Sequence, residues 1–64
     1  MIVHLTNPDS TITIQGPKQV RQLLQDLNLI PEANLVIRGD ELVTEDTFLD
    51  DLDTIEIRSV ISGG

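Results

Sequence analysis

A chain of 64 residues is one domain, and a domain of that size buries only about 60% of the surface its unfolded form exposes. It carries 11 Asp and Glu against four Lys and Arg, a formal charge of −7, with no Cys and a single His. Those numbers leave little volume for a deep internal active site, exclude disulfides and Cys-ligated zinc, and make direct contact with phosphate backbones repulsive.

Met1 to Thr6 alternate, with Val3 and Leu5 on one side and Ile2, His4 and Thr6 on the other, which predicts a half-buried strand. This opening is not a basic-then-apolar leader, and no apolar run nears the ~20 residues of a membrane span, so a cytoplasmic, membrane-free monomer is expected. Asn7-Pro8-Asp9-Ser10 reads as a turn, and Thr11 to Gln15 as a second strand with Ile12 and Ile14 on one face. Gly16-Pro17 closes this hairpin and opens a helix, Pro being suited to a first helical position. Val20, Leu23, Leu24 and Leu27 follow at i, i+3, i+4 and i+7, a single apolar stripe. Asn28 is placed to end the helix in a left-handed conformation, and Pro31 prevents its continuation.

Leu35-Val36-Ile37 predicts a short strand ending at Arg38-Gly39-Asp40, where Gly39 supplies a turn. Leu42-Val43 is an edge strand. Thr44-Glu45-Asp46 has the form of a helix start, so Phe48, Leu49 and Leu52 are expected from a short helical or 3₁₀ segment. Thr54 to Ile61 alternates again, with Ile55 and Ile57 on one face and Glu56 and Arg58 on the other. One amphipathic helix must bury its stripe against the sheet, so the predicted fold is α+β: a β-grasp, a mixed sheet of four to five strands with one main helix. The domain spans 1–61, and 62–64 form a flexible tail.

Catalytic constellations are nearly absent. His4 has no Cys partner and is expected at a solvent-facing or rim position; no metal site is expected. Asp50, Asp51 and Asp53 lack the spacing of a calcium loop and read as turn and capping residues. Arg38-Gly39-Asp40 is a strand end plus turn, and the isolated Gly16 and Gly39 form no phosphate-cradling loop. What remains is Ser62-Gly63-Gly64. At ~3.3–3.6 Å per residue, the segment from Val60 to Gly64 can reach roughly 17 Å, enough to enter a partner's active site. Two residues without Cβ atoms suit a narrow channel. A free carboxylate there needs activation, for instance as an acyl-adenylate, before a sulfur nucleophile can attack it.

These residues resemble the ThiS/MoaD family of bacterial sulfur carriers, ubiquitin-like β-grasp proteins ending in Gly-Gly. The run Val36-Ile37-Arg38-Gly39-Asp40-Glu41-Leu42-Val43-Thr44, with Asp53-Thr54-Ile55-Glu56-Ile57 and Ser59-Val60-Ile61-Ser62-Gly63-Gly64, is most similar to the TtuB-like branch, which supplies sulfur for 2-thiouridine in tRNA. Thiazole-pathway carriers usually have Asn-Gly where Arg38-Gly39 stands, and molybdopterin carriers are generally longer with Pro near the tail. The resemblance implies a cycle. An E1-like adenylyltransferase activates Gly64 with ATP, and a cysteine desulfurase or rhodanese-type donor supplies sulfur for a thiocarboxylate. A tRNA thiolase then consumes it. The chain is a co-substrate in such a cycle, not an enzyme, and binds no cofactor of its own.

Service to the thiazole or molybdopterin pathway, covalent attachment to target lysines and a plain interaction module remain open alternatives. If Leu35, Ile37, Ile55 and Ile57 face the helix, alternation sends Val36, Glu56, Arg58 and Val60 to the open face. In ubiquitin-like proteins that face commonly meets the activating enzyme. Val36, Arg58, Val60 and Ile61 are therefore the expected docking patch.

Overall fold

The N-terminal alternation becomes strand β1 (Ile2–Thr6), which pairs antiparallel with β2 (Asp9–Thr13) in the register Val3 to Ile12 and Leu5 to Ser10. The computed structural model describes residues 1–6 and 9–60. Asp9 and Ser10, expected in the turn, already belong to β2; Asn7 and Pro8, the rest of the expected turn, lie outside the described residues. The hairpin continues past its formal end: the Ile14 N–H donates to the Met1 carbonyl at 2.9 Å, and the Met1 amine donates to the Ile14 carbonyl at 2.7 Å.

Two segments depart from expectation together. The helix does not begin at Pro17: Lys18–Gln19 form strand β3, and helix α1 spans Val20–Asp26. The short helix expected around Phe48 is instead strand β6 (Phe48–Leu49), which pairs antiparallel with β3. The cause is local. The Thr44 hydroxyl donates to the Asp46 carboxylate at 2.6 Å and the Thr47 N–H to the Thr44 carbonyl at 3.1 Å, so the capping chemistry closes a turn. That turn caps α1 from outside: the Val20 N–H donates to the Thr47 carbonyl and the Arg21 N–H to the Glu45 carbonyl. Orphan donors at the helix start are thereby satisfied with no side-chain cap.

The helix ends as predicted. Asn28 adopts a φ of 63°, the Leu29 N–H reaches the Leu24 carbonyl at 2.8 Å and the Asn28 N–H the Gln25 carbonyl at 3.1 Å, the paired bonds of a Schellman motif. A 3₁₀ turn at Pro31–Ala33 leads into β4 (Asn34–Arg38). Gly39, with φ of 64°, turns the chain into β5 (Glu41–Val43), and β7 (Thr54–Ser59) completes the sheet.

The sheet order is β2-β1-β7-β4-β5, with β1 and β7 parallel and the other neighbours antiparallel. One helix across this mixed five-stranded sheet is the predicted β-grasp. Val20, Leu23 and Leu24 of the stripe are buried with Val3, Val36, Ile55, Ile57, Leu49 and Met1, and Leu27 packs against this core. A Cβ at Gly16 would stand 2.7 Å from the Met1 Cε, so the end of that flexible side chain would have to shift to admit one. The Gly16-Pro17 bond is cis.

Candidate functional site

Strand β7 is central, hydrogen-bonded to β1 on one side and β4 on the other, and it is the last element before the C-terminal residues. The sequence predicts a strand to Ile61; the described strand ends at Ser59. Beyond it the Val60 N–H donates to the Ala33 carbonyl at 2.9 Å, which ties the exit to the 3₁₀ turn. Ile61, Ser62, Gly63 and Gly64 lie outside the described residues.

The face away from α1 is set by register. Val36 stands opposite Ile57, and Leu35 opposite Arg58. Residues directly opposite on antiparallel strands share a face, so Val36 points into the core with Ile57. Its exposure is 3%. The expected docking residue Val36 is thus a core residue, and Leu35 (40% exposed) takes the open face with Ile37. Three successive apolar residues carry no alternation, so Leu35-Val36-Ile37 alone cannot say which of them faces the helix. Arg38 lies on the Val36 side but at the sheet's end, where its guanidinium reaches the Phe48 carbonyl at 3.3 Å and Asp53 at 3.8 Å. A charged residue escapes the core there by position alone.

The open face therefore carries one row, His4, Glu56, Ile37 and Leu42, read directly across β1, β7, β4 and β5. Beside it lie Leu35, Arg58 and, past the strand end, Val60, which is 45% exposed. The Arg58 guanidinium donates to the Glu56 carboxylate on the same face. Leu35, Ile37 and Leu42 are the residues of this surface that sequence reasoning missed. The tight turn at Gly39 was the available signal, since it fixes Ile37 opposite Leu42.

Comparison with known proteins bears on what a body of this shape does. Over 53 residues the chain is 38% identical to the sulfur carrier protein TtuB of Thermus thermophilus, covering 83% of this chain and 82% of that protein. This chain belongs to the TtuB-like sulfur carriers of the ThiS/MoaD family. No protein-family model matches the chain.

In this TtuB-like chain the remaining candidates have structural duties. The exposed His4 Nδ1 lies 3.0 Å from the Thr11 hydroxyl across the hairpin. Asp53 accepts the Asp50 N–H at 2.8 Å, and the Asp53 N–H returns to the Asp50 carbonyl at 3.1 Å. Asp51 accepts the Gly16 N–H at 2.8 Å, which, with the charge of the N-terminal amine 3.5 Å away, holds its carboxyl below the ordinary value of 3.8. The Thr44 hydroxyl does the same for Asp46, aided by the Asp46 backbone N–H and Arg21. Lys18, near the helix start, pairs with Asp26 at 2.6 Å; that bond, with one from Gln22, lowers the Asp26 carboxyl. Among the described residues no group of three His, Asp or Glu is placed to hold a metal ion, and no helix is long and apolar enough to cross a membrane.

Proposed function

We propose that this chain carries sulfur on the carboxylate of Gly64, most directly for 2-thiolation of tRNA. The observation that carries the reading is the match to a sulfur carrier over most of both chains, joined to Ser62-Gly63-Gly64 following the exit of β7. In the proposed cycle the Gly64 carboxylate attacks the α-phosphorus of ATP on an E1-like enzyme and pyrophosphate leaves. A persulfide from a cysteine desulfurase or rhodanese-type donor then attacks the acyl carbon and AMP leaves. A further thiol opens the resulting acyl disulfide, which frees the thiocarboxylate for the thiolase.

The body's part is to dock while the tail reacts. The docking surface proposed is Arg58, Val60 and Ile61 together with the open-face residues Leu35, Ile37 and Leu42. Apolar side chains around one arginine are the composition favoured at interface centres. The experiment is incubation with ATP, an E1-like enzyme and a sulfur donor from the same cell, followed by intact mass. Exchange of one oxygen for sulfur at Gly64 supports the reading. Its absence with an active enzyme set overturns it.

A further inference from the structure

The end of the molecule opposite the β7 exit carries a second surface. There Met1, Ile2, Thr13, Ile14, Gln15, Asp51, Leu52 and Asp53 line an open cavity of about 520 Å³. Leu52, at the tip of the turn before β7, is 95% exposed, although a leucine at a turn tip contributes nothing to the core. Its neighbours Ile2 and Ile14 are only partly covered. The rim is acidic. Arg38 lies 3.9 Å from Glu41 and 3.8 Å from Asp53, which brings the β4–β5 turn beside the β6–β7 turn. Asp40, Glu41, Asp50, Asp51 and Asp53, five of the 11 acidic residues, therefore gather at this end, offset by Arg38 and the N-terminal amine.

We infer that this cavity docks a basic segment of a partner protein, with one apolar side chain seated against Leu52, Ile2 and Ile14 and cationic residues meeting the carboxylate rim. Charge selects this occupant. A nucleic acid or an anionic membrane is repelled by the rim. A second copy of the chain, itself at a formal charge of −7, offers few cations among the described residues: Lys18 is paired with Asp26, Arg58 with Glu56 and Arg38 with Asp53, which leaves the single exposed Arg21. A bare metal ion finds no set of three ligating side chains among the described residues. A basic peptide with one apolar anchor satisfies both the cavity and its rim.

The site is separated from the β7 exit by the length of the strand, roughly 17–20 Å for six residues. Its occupant and a partner at the C-terminal end can therefore be bound together. The surface is a handle at the far end of the sheet, reaching onto the open face only through Ile2 and Thr13 and set apart from Leu35, Arg58 and Val60.

The test is a titration of the full chain, ¹⁵N-labelled, with a pentapeptide in which phenylalanine stands between two Lys-Arg pairs. A serine-centred peptide of equal charge is the control. Saturable shifts confined to Ile2, Thr13 to Gln15 and Asp51 to Thr54 are expected, with binding about tenfold weaker for the serine peptide and for Leu52→Ser. Leu52 is exposed, so that variant keeps its fold, verified by its unchanged spectrum elsewhere. Equal binding of both peptides, or shifts spread over Asp9, Asp26 and Glu32 as well, overturns the inference in favour of unspecific charge attraction. Shifts centred on Leu35, Ile37, Arg58 and Val60, concentration-dependent shifts of the same residues without peptide, or no binding also overturn it.

Discussion

Val36 and Ile57 face each other directly across the β4–β7 ladder and are both buried, at 3% and 2% exposure. Leu35, one residue earlier, faces Arg58 on the other side of the sheet. Truncating Val36 to Ala removes buried methyl groups and leaves a void, so it is expected to cost ~2–3 kcal/mol, whereas Leu35→Ala should cost less than ~1 kcal/mol. Urea denaturation of the two variants measures the difference, and equal costs would show the faces to be misassigned.

Docking of the activating enzyme is expected to depend on the open face. Arg58→Glu breaks the pair with Glu56 and reverses a charge on an exposed strand position, with little effect on folding. Its kcat/KM in adenylation should fall about tenfold, chiefly through KM, because the reacting tail is untouched. An unchanged KM for both Arg58→Glu and Leu35→Asp would remove this face from the interaction.

Deleting Gly63 and Gly64 is expected to abolish sulfur acceptance while leaving the thermal midpoint of the body unchanged. The last core residue of β7 is Ile57, and the last described tie is made by Val60. Intact mass after the coupled reaction and a thermal melt check the two halves. Retained function in cells would favour an interaction module over a carrier.

Acid should destabilise the protein through Asp26, Asp46 and Asp51. Each has a folded-state carboxyl below the ordinary 3.8, held there chiefly by a hydrogen bond from Lys18, Thr44 and the Gly16 backbone respectively. The unfolded chain binds protons first as pH falls, so their stabilisation is complete near neutrality and is lost progressively below about pH 5. Asp26→Asn and Asp51→Asn should each flatten the slope of unfolding free energy against pH in that window. A slope unchanged in both variants would place the acid sensitivity elsewhere.

Asn28 tests the helix terminus. At φ of 63°, replacement by Ala adds the left-handed strain of ~1–2 kcal/mol that Asn partly avoids, while Gly should be neutral to stabilising. Denaturation midpoints in the order Gly, Asn, Ala are expected, and an Ala variant as stable as the Gly variant would contradict the Schellman geometry.

The parts of this fold legible in sequence are those where one local signal had no competitor. The stripe from Val20 to Leu27, the left-handed Asn28, the turn at Gly39 and the alternation of β1 and β7 all stand as predicted. The β3–β6 pair was illegible because its two-residue strands are held by partners about 30 positions apart, while Pro17 and Thr44 each offered plausible helix starts. The orientation of β4 was illegible because Leu35, Val36 and Ile37 are equally apolar, leaving cross-strand register to decide between faces. For the candidate site, the exit of β7 and the exposed Arg58 follow from alternation; the apolar company of Arg58 does not.

The placement of β7 also bears on mechanics. An enzyme that draws the C-terminus into its active site pulls along the axis of the central strand. That load is shared between the parallel ladder to β1, of four paired residues, and the antiparallel ladder to β4, of five. Both ladders are loaded lengthwise, in shear, so their hydrogen bonds resist together instead of unzipping one after another. An edge strand bearing the same tail would have only one ladder to resist the pull. The body can thus be hauled by its end and remain folded.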